Sequence, residues 1–168
     1  MTASPSDLPV LIGNYGGDKS TIYGQMVSWS KDVNTTAGVP GYEGAPAHYQ
    51  GHDGIQNFDV WDAFNMDRYR ASAWKYFTRY QHKGSIKNDL AKLVHYIEEA
   101  LARPGILGVE PLQESELGLS IEDVLKAFEL DGAMGEAAED FLRSFTEKNP
   151  KVYLRSARAQ VLDYLRSI

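Results

Sequence analysis

Over residues 67–82 the polar residues Arg68, Ser72, Lys75 and Arg79 recur at helical spacing, and Tyr69, Ala73, Tyr76 and Tyr80 form a second stripe with Trp74 and Phe77 beside it. The pattern predicts an amphipathic helix with an aromatic side to bury and a cationic side to present. Gly84 is placed to end this helix and Ser85 to cap the next, whose core-facing stripe is Leu90, Leu93, Val94, Ile97 and Leu101. Asp89, Lys92 and Tyr96 fall off that stripe. Two apolar faces so close in the chain predict an antiparallel hairpin, with Arg79, Lys83 and Asp89 gathered near its bend.

Shorter helices are predicted on either side. Residues 55–64 read as one, with Ile55, Phe58, Trp61 or Asp62, and Phe64 roughly on one side. Pro104-Gly105 ends the hairpin. Ser120, with Asp123 three residues on, caps a helix whose apolar face is Ile121, Val124, Leu125 and Phe128, and Gly132 stops it. A helix over about residues 135–147 buries Phe141, Leu142 and Phe145. Asn149-Pro150 then separates it from a last helix carrying Leu154, Ala157, Val161 and Leu165. The first 46 residues are rich in Gly, Ser, Thr and Pro and read as an extended arm with one or two short strands. Tyr15, Tyr23, Met26, Trp29 and Tyr42 make that arm too apolar for a free tail. It is expected to pack on the helical body or on another subunit, which makes a homo-oligomer the expected state. The fold class is therefore mostly α: a compact helical domain built on an antiparallel helix hairpin, with an extended, loop-rich N-terminal arm. The expected divisions are 1–45 (arm), 46–103 (hairpin core) and 104–168 (C-terminal helical extension).

Composition narrows the functional classes. With 168 residues, 43% hydrophobic and 24% charged, the chain has the make-up of one soluble globule. The absence of cysteine excludes disulfides, thiolate catalysis and Cys-ligated zinc and fits a reducing cytoplasm. No apolar run approaches a membrane span and the N-terminus lacks a signal-peptide pattern, so a cytoplasmic protein with no membrane partner is expected. The net charge of −6 is unevenly spread. Residues 66–103 carry eight Lys/Arg against four Asp/Glu, residues 104–147 two against eleven, and residues 148–168 five against one. An acidic chain without a broad cationic face is a poor partner for duplex nucleic acid, whereas a local positive field suits a small anion. The basic tail could equally dock on the acidic segment, in the same subunit or a neighbour.

The cations of the predicted hairpin, Lys75, Arg79, Lys83 and Lys92, set with Asp89 around one polar cleft, suit a phosphate-bearing ligand. The same residues would also serve as a solvated helix face, with Asp89 and Lys92 an i,i+3 ion pair. Upstream, residues 13–20 nearly spell a P-loop, but Asp18 stands before Lys19 where the motif needs glycine. No alternation of strands and helices follows, so this segment reads as a glycine-rich surface turn. His48, His52 and Asp53 are three local candidates for a metal, yet Gly51 and Pro46 oppose a helix that would align the two imidazoles. His48 reads instead as hydrogen-bonded in the fold or touching ligand, and His82 and His95 as surface residues.

The ordered motifs His48-Tyr49, Gly54-Ile55, Asp59-Val60, Lys75-Tyr76 with Arg79, Lys83, Asp89-Leu90, Lys92 and Tyr96 resemble a small phage-encoded nucleotide kinase family, whose domain is often catalogued as a phage domain of unknown function. The resemblance covers about residues 46–101. It departs at Ala71-Ser72, where the family has Gly-Asn, at Gln56, where it has an acidic residue, and at Leu93, where it has alanine. It implies phosphoryl transfer from ATP or another nucleoside triphosphate to a (deoxy)nucleoside monophosphate in the cytoplasm of a phage-infected bacterial host. In that reading Lys75, Arg79 and Asp89 are catalytic, and His48, Tyr49, Ser72, Tyr76, Lys83, Lys92 and Tyr96 bind substrate. Asp59 and Asp89 hold Mg2+. An amide at Gln56 neither ionises nor takes a proton at neutral pH, which with the missing P-loop favours the alternative of an oligomeric protein that binds nucleotide without turnover; a structural or interaction protein using the aromatic arm and charged tail is the other alternative.

Overall fold

The structure, a computed structural model, describes residues 49–82 and 84–168. His48, Lys83, the P-loop-like residues 13–20 and the predicted arm lie outside the described residues. Seven helices run through the described chain: α1 (Asn57–Ala63), α2 (Arg68–Arg79), α3 (Ile86–Leu101), α4 (Pro104–Leu107), α5 (Ile121–Ala127), α6 (Gly132–Arg143) and α7 (Pro150–Ser167). The mostly α expectation holds. No strand occurs among the described residues, and Gln50 meets Gln56 in an isolated antiparallel bridge.

Local chemistry explains most of the boundaries. Asp67 caps α2 by accepting the backbone N–H groups of Tyr69 at 3.1 Å and Arg70 at 2.9 Å, a contribution of about 1 kcal/mol. Ser120 caps α5 through the N–H of Asp123 at 3.0 Å, as its spacing predicts. Ser85 occupies the cap position of α3, but its side chain makes no capping bond. Pro104 ends the hairpin and also begins the one-turn α4, because proline suits the first position of a helix.

Gly132 does the reverse of what the sequence suggests. The chain leaves α5 through Glu129 at φ 54°, and Gly132 at φ 59° opens α6 instead of stopping α5. Three residues on, a Cβ at Gly135 would stand 2.8 Å from the Leu130 carbonyl oxygen, so only glycine lets the first turn of α6 lie so close to the chain before it.

Helices α2 and α3 pack against each other, α7 packs on α3 and α6, and α1 and α5 add to the bundle. Within the unit formed by Ala45–Ile168, the hairpin and the helices after it share one core. Trp74 of α2 lies 5.9 Å, edge to face, from Phe128 after α5, and 6.2 Å, stacked, from Phe141 of α6. Phe141 in turn meets Phe77 at 5.2 Å and Phe145 at 5.9 Å, and Phe145 meets Phe64 at 5.8 Å. Aromatic pairs of this kind add about 0.5–1.5 kcal/mol each beyond the area they bury. Leu90, Leu93, Val94 and Ile97 are buried as their spacing predicts.

The register of α1 differs from expectation. Asn57, Val60 and Phe64 are buried, while Phe58 is 50% exposed. The helix starts at Asn57, so the buried face is set by positions three and seven residues on from its first residue, and Phe58 turns outward against Trp61.

Arg70, 3% exposed, ties the start of α2 to the end of α6. Its Nε pairs with Asp67 at 2.6 Å, its Nη1 donates to the Ser144 carbonyl at 3.2 Å and hydroxyl at 3.1 Å, and its guanidinium lies 3.8 Å from the centre of the Phe145 ring. Burial lowers its pKa, and Asp67 opposes that shift.

The basic tail docks through its apolar stripe of Leu154, Ala157 and Val161. Its Arg158 pairs with Glu98 on α3, and Arg166 with Asp163 on α7 itself. The acidic segment contributes Asp140, which accepts from the neutral Ser156 and Gln160 at 2.6 and 2.7 Å. Among the described residues no helix is long and apolar enough to cross a membrane.

Candidate functional site

The bend of the hairpin brings Arg79 and Asp89 together. Arg79 Nε donates to Asp89 Oδ2 at 3.1 Å; Asp89 is 1% exposed, and the Arg79 side chain keeps about a quarter of its surface in water. The carboxylate also sits in the first turn of α3, where the helix dipole favours negative charge. The i,i+3 pairing of Asp89 with Lys92 does not form; the guanidinium across the bend takes its place.

One turn before Arg79 on α2, Tyr76 stacks on Tyr96, which stands about two turns beyond Asp89 on α3, with ring centres 5.9 Å apart and planes 13° from parallel. Three cations surround Tyr76: Lys75 Nζ at 5.0 Å, Arg79 Cζ at 5.6 Å and Lys92 Nζ at 5.9 Å from its ring centre. Neither Lys75 nor Lys92 has a carboxylate within ion-pair distance among the described residues. Three positive groups against the single Asp89 charge leave the cluster at about +2. Tyr76 is itself buried; its phenol is pushed up by that burial and by Tyr96, pulled down by Arg79, and raised again by Asp89 and Tyr49. Lys75, Ser72, Lys92 and Tyr96 are half-buried, so they and Arg79 are the groups a ligand would meet. Of the site residues predicted, Lys75, Tyr76, Arg79, Asp89, Lys92 and Tyr96 are thus brought together, and Tyr49 lies in electrostatic range of Tyr76.

The other acidic residues lie on α1. Asp59 Oδ2 accepts the backbone N–H of Gln56 at 2.8 Å, securing the start of the helix. Asp62, half-buried beside it, has its pKa raised from 3.8 to about 6 by burial and then by the Asp59 charge. Among the described residues no group of three or more His, Asp or Glu stands close enough to hold a metal ion. The carboxylates expected to hold Mg2+ are engaged with Gln56 and Arg79, so they do not form a ready-made cage for it. His52 Nε2 lies 3.1 Å from Glu129 at the surface, and His82 and His95 are exposed.

Two residues that position the cationic stripe lack an obvious sequence signal. Asn57 Nδ2 donates to Thr78 Oγ1 at 2.9 Å, and Thr78 Oγ1 donates to the Lys75 carbonyl at 3.1 Å, so α1 is bonded to the turn of α2 that carries Lys75. Asn57 shares the face of Val60 and Phe64, and a polar residue on a buried stripe was the available clue.

Residues 44–98 match a family model described as a protein of unknown function (DUF3310). No curated protein and no solved structure matches the chain. The matched stretch runs through α1, α2 and most of α3 and so contains the Lys75, Arg79, Asp89, Lys92 and Tyr96 cluster; the chain is similar to this family over that third of its length, and the family's description carries no activity.

Proposed function

We propose that the α2–α3 hairpin binds nucleotide phosphate and that the protein is a nucleotide kinase-like phosphotransferase, moving a phosphoryl group from a nucleoside triphosphate to a (deoxy)nucleoside monophosphate. The observation that carries the reading is the excess of positive charge about a stacked tyrosine pair: Lys75, Arg79 and Lys92 ring Tyr76, with Asp89 the one carboxylate among them. In phosphoryl transfer the protein's work is mostly positioning and charge neutralisation, which such a cluster suits. Lys75 and Lys92 meet phosphate oxygens, and Asp89 holds Arg79 in place. Tyr96 offers its half-buried ring to a base, while Tyr76 supports it from beneath. Ser72, Tyr49, His48 and Lys83 complete the expected substrate contacts. Mg2+ would come held by the triphosphate itself, since Asp59 and Asp89, the carboxylates expected from sequence to meet it, are engaged with the Gln56 amide and with Arg79.

A second reading, binding without turnover, is favoured by the amide at Gln56 and by the engagement of Asp89 with Arg79. Incubation with ATP, Mg2+ and each nucleoside monophosphate separates the two. Diphosphate product supports the kinase reading; calorimetric binding with no product selects the second. Lys75→Ala with Lys92→Ala should weaken nucleotide binding at least tenfold, since a hydrogen bond to a charged group is worth about 1.5–3 kcal/mol. Absence of any nucleotide affinity in the intact chain refutes both.

A further inference from the structure

The cluster around Tyr76 has a counterpart seven residues earlier on α2, which Arg103, just beyond the end of α3, completes. On α2, Tyr69 precedes Tyr76 by seven positions; on the α3 side, Arg103 follows Tyr96 by seven. Tyr69 and Tyr76 both lie in α2, and seven residues are nearly two whole turns, so the two rings share a face about 10.5 Å apart along that helix; Arg103 stands just past the end of α3, at the start of α4, and reaches Tyr69 from there. There the Arg103 guanidinium lies 4.1 Å and the Arg68 guanidinium 4.8 Å from the centre of the Tyr69 ring, and Arg68 Nη2 donates to the Tyr69 hydroxyl at 2.6 Å. Glu99 takes one side of Arg103 at 2.7 Å; Arg68 is exposed and has no carboxylate partner among the described residues. The hairpin thus carries two aromatic rungs with cations at each.

We infer that this face binds single-stranded nucleic acid, with successive nucleotides laid along α2 from the Tyr76–Tyr96 rung to the Tyr69–Arg103 rung. The inference rests on the nucleotide-binding reading for the inner rung and extends it to the outer one. Interleaved aromatic rings and cations are what sequence-tolerant binding of a single strand requires, because every base has a face to stack and every linkage a charge to neutralise. A separation of about 10.5 Å corresponds to roughly three nucleotides at the ~3.4 Å rise of a stacked strand.

The test is fluorescence anisotropy with a labelled single-stranded DNA hexamer, beside calorimetry with a nucleoside monophosphate. The hexamer should bind at least tenfold more tightly than the monophosphate. If Lys75, Lys92, Arg68 and Arg103 each meet a phosphate, log K should fall against log salt with a slope of about −2.8, at roughly −0.7 per phosphate for single strands. Arg68→Gln with Arg103→Gln should bring hexamer affinity down to the monophosphate level and halve that slope, with monophosphate affinity unchanged. Arg68→Gln alone, at an exposed side chain, gives the same direction should loss of the Arg103–Glu99 pair disturb folding. An unchanged hexamer affinity and slope in these variants, or a hexamer that binds no better than a monophosphate, overturns the inference. Hexamer binding without monophosphate binding would sink the mononucleotide reading and leave this one standing.

Discussion

Asp89→Asn tests whether Asp89 organises the site or takes part in its chemistry. The substitution keeps the size of the side chain and an oxygen to accept from Arg79 Nε, and removes only the charge. At 3.1 Å and an effective dielectric of about 20, the attraction removed is about 5 kcal/mol. The cost of holding a carboxylate that is 1% exposed cancels much of it, leaving a net loss of about 2 kcal/mol. For a domain of this size that corresponds to a fall in Tm of about 8 °C, read by circular dichroism. The cluster's charge rises from about +2 to about +3, so nucleotide affinity measured by calorimetry should hold or tighten by about two- to fivefold. Turnover should fall only as far as Arg79 loses its fixed orientation. Loss of nucleotide binding, or a collapse of turnover with Tm and affinity unchanged, would refute the reasoning and make Asp89 a direct ligand of metal or acceptor oxygen.

Two further outcomes follow from buried charge elsewhere in the bundle. Asp62 binds its proton more tightly in the folded state, so the stability it contributes is full below about pH 3.8 and is lost as pH rises through about 6. The full shift would amount to about 3 kcal/mol, and solvent screening of a half-exposed group brings the expectation to about 1 kcal/mol. Urea unfolding at pH 4 and pH 7 should show Asp62→Asn stabilising the protein only at the higher pH; an equal effect at both would contradict the assignment. Arg70→Met keeps an unbranched stem but leaves Asp67 and the Ser144 carbonyl without their guanidinium, and should cost about 3 kcal/mol of unfolding free energy, read as a fall in the urea midpoint. An unchanged midpoint would mean that Arg70 does not hold α2 to α6.

Local patterns fixed much of this protein in advance. The stripes of α2 and α3 and the short bend between them determined an antiparallel hairpin with Lys75, Arg79 and Lys92 off the buried face, because helical periodicity and short loops act within a few residues. Ser120 and Pro150 mark helix starts by the same local chemistry. Only the tertiary structure decided which partner each charge took. Asp89 chose Arg79 across the bend over Lys92 one turn away, Asp59 turned to the Gln56 amide, and Arg70 went into the core against Ser144 and Phe145. The face of α1 and the role of Gly132 were likewise settled by tertiary structure: Phe58 is as apolar as Phe64 but is half-exposed, and Gly132 at φ 59° opens α6, whose first turn lies against the Leu130 carbonyl at Gly135. Periodicity names the face a residue occupies, whereas the partner of a charge depends on distances between helices that no spacing along the chain contains.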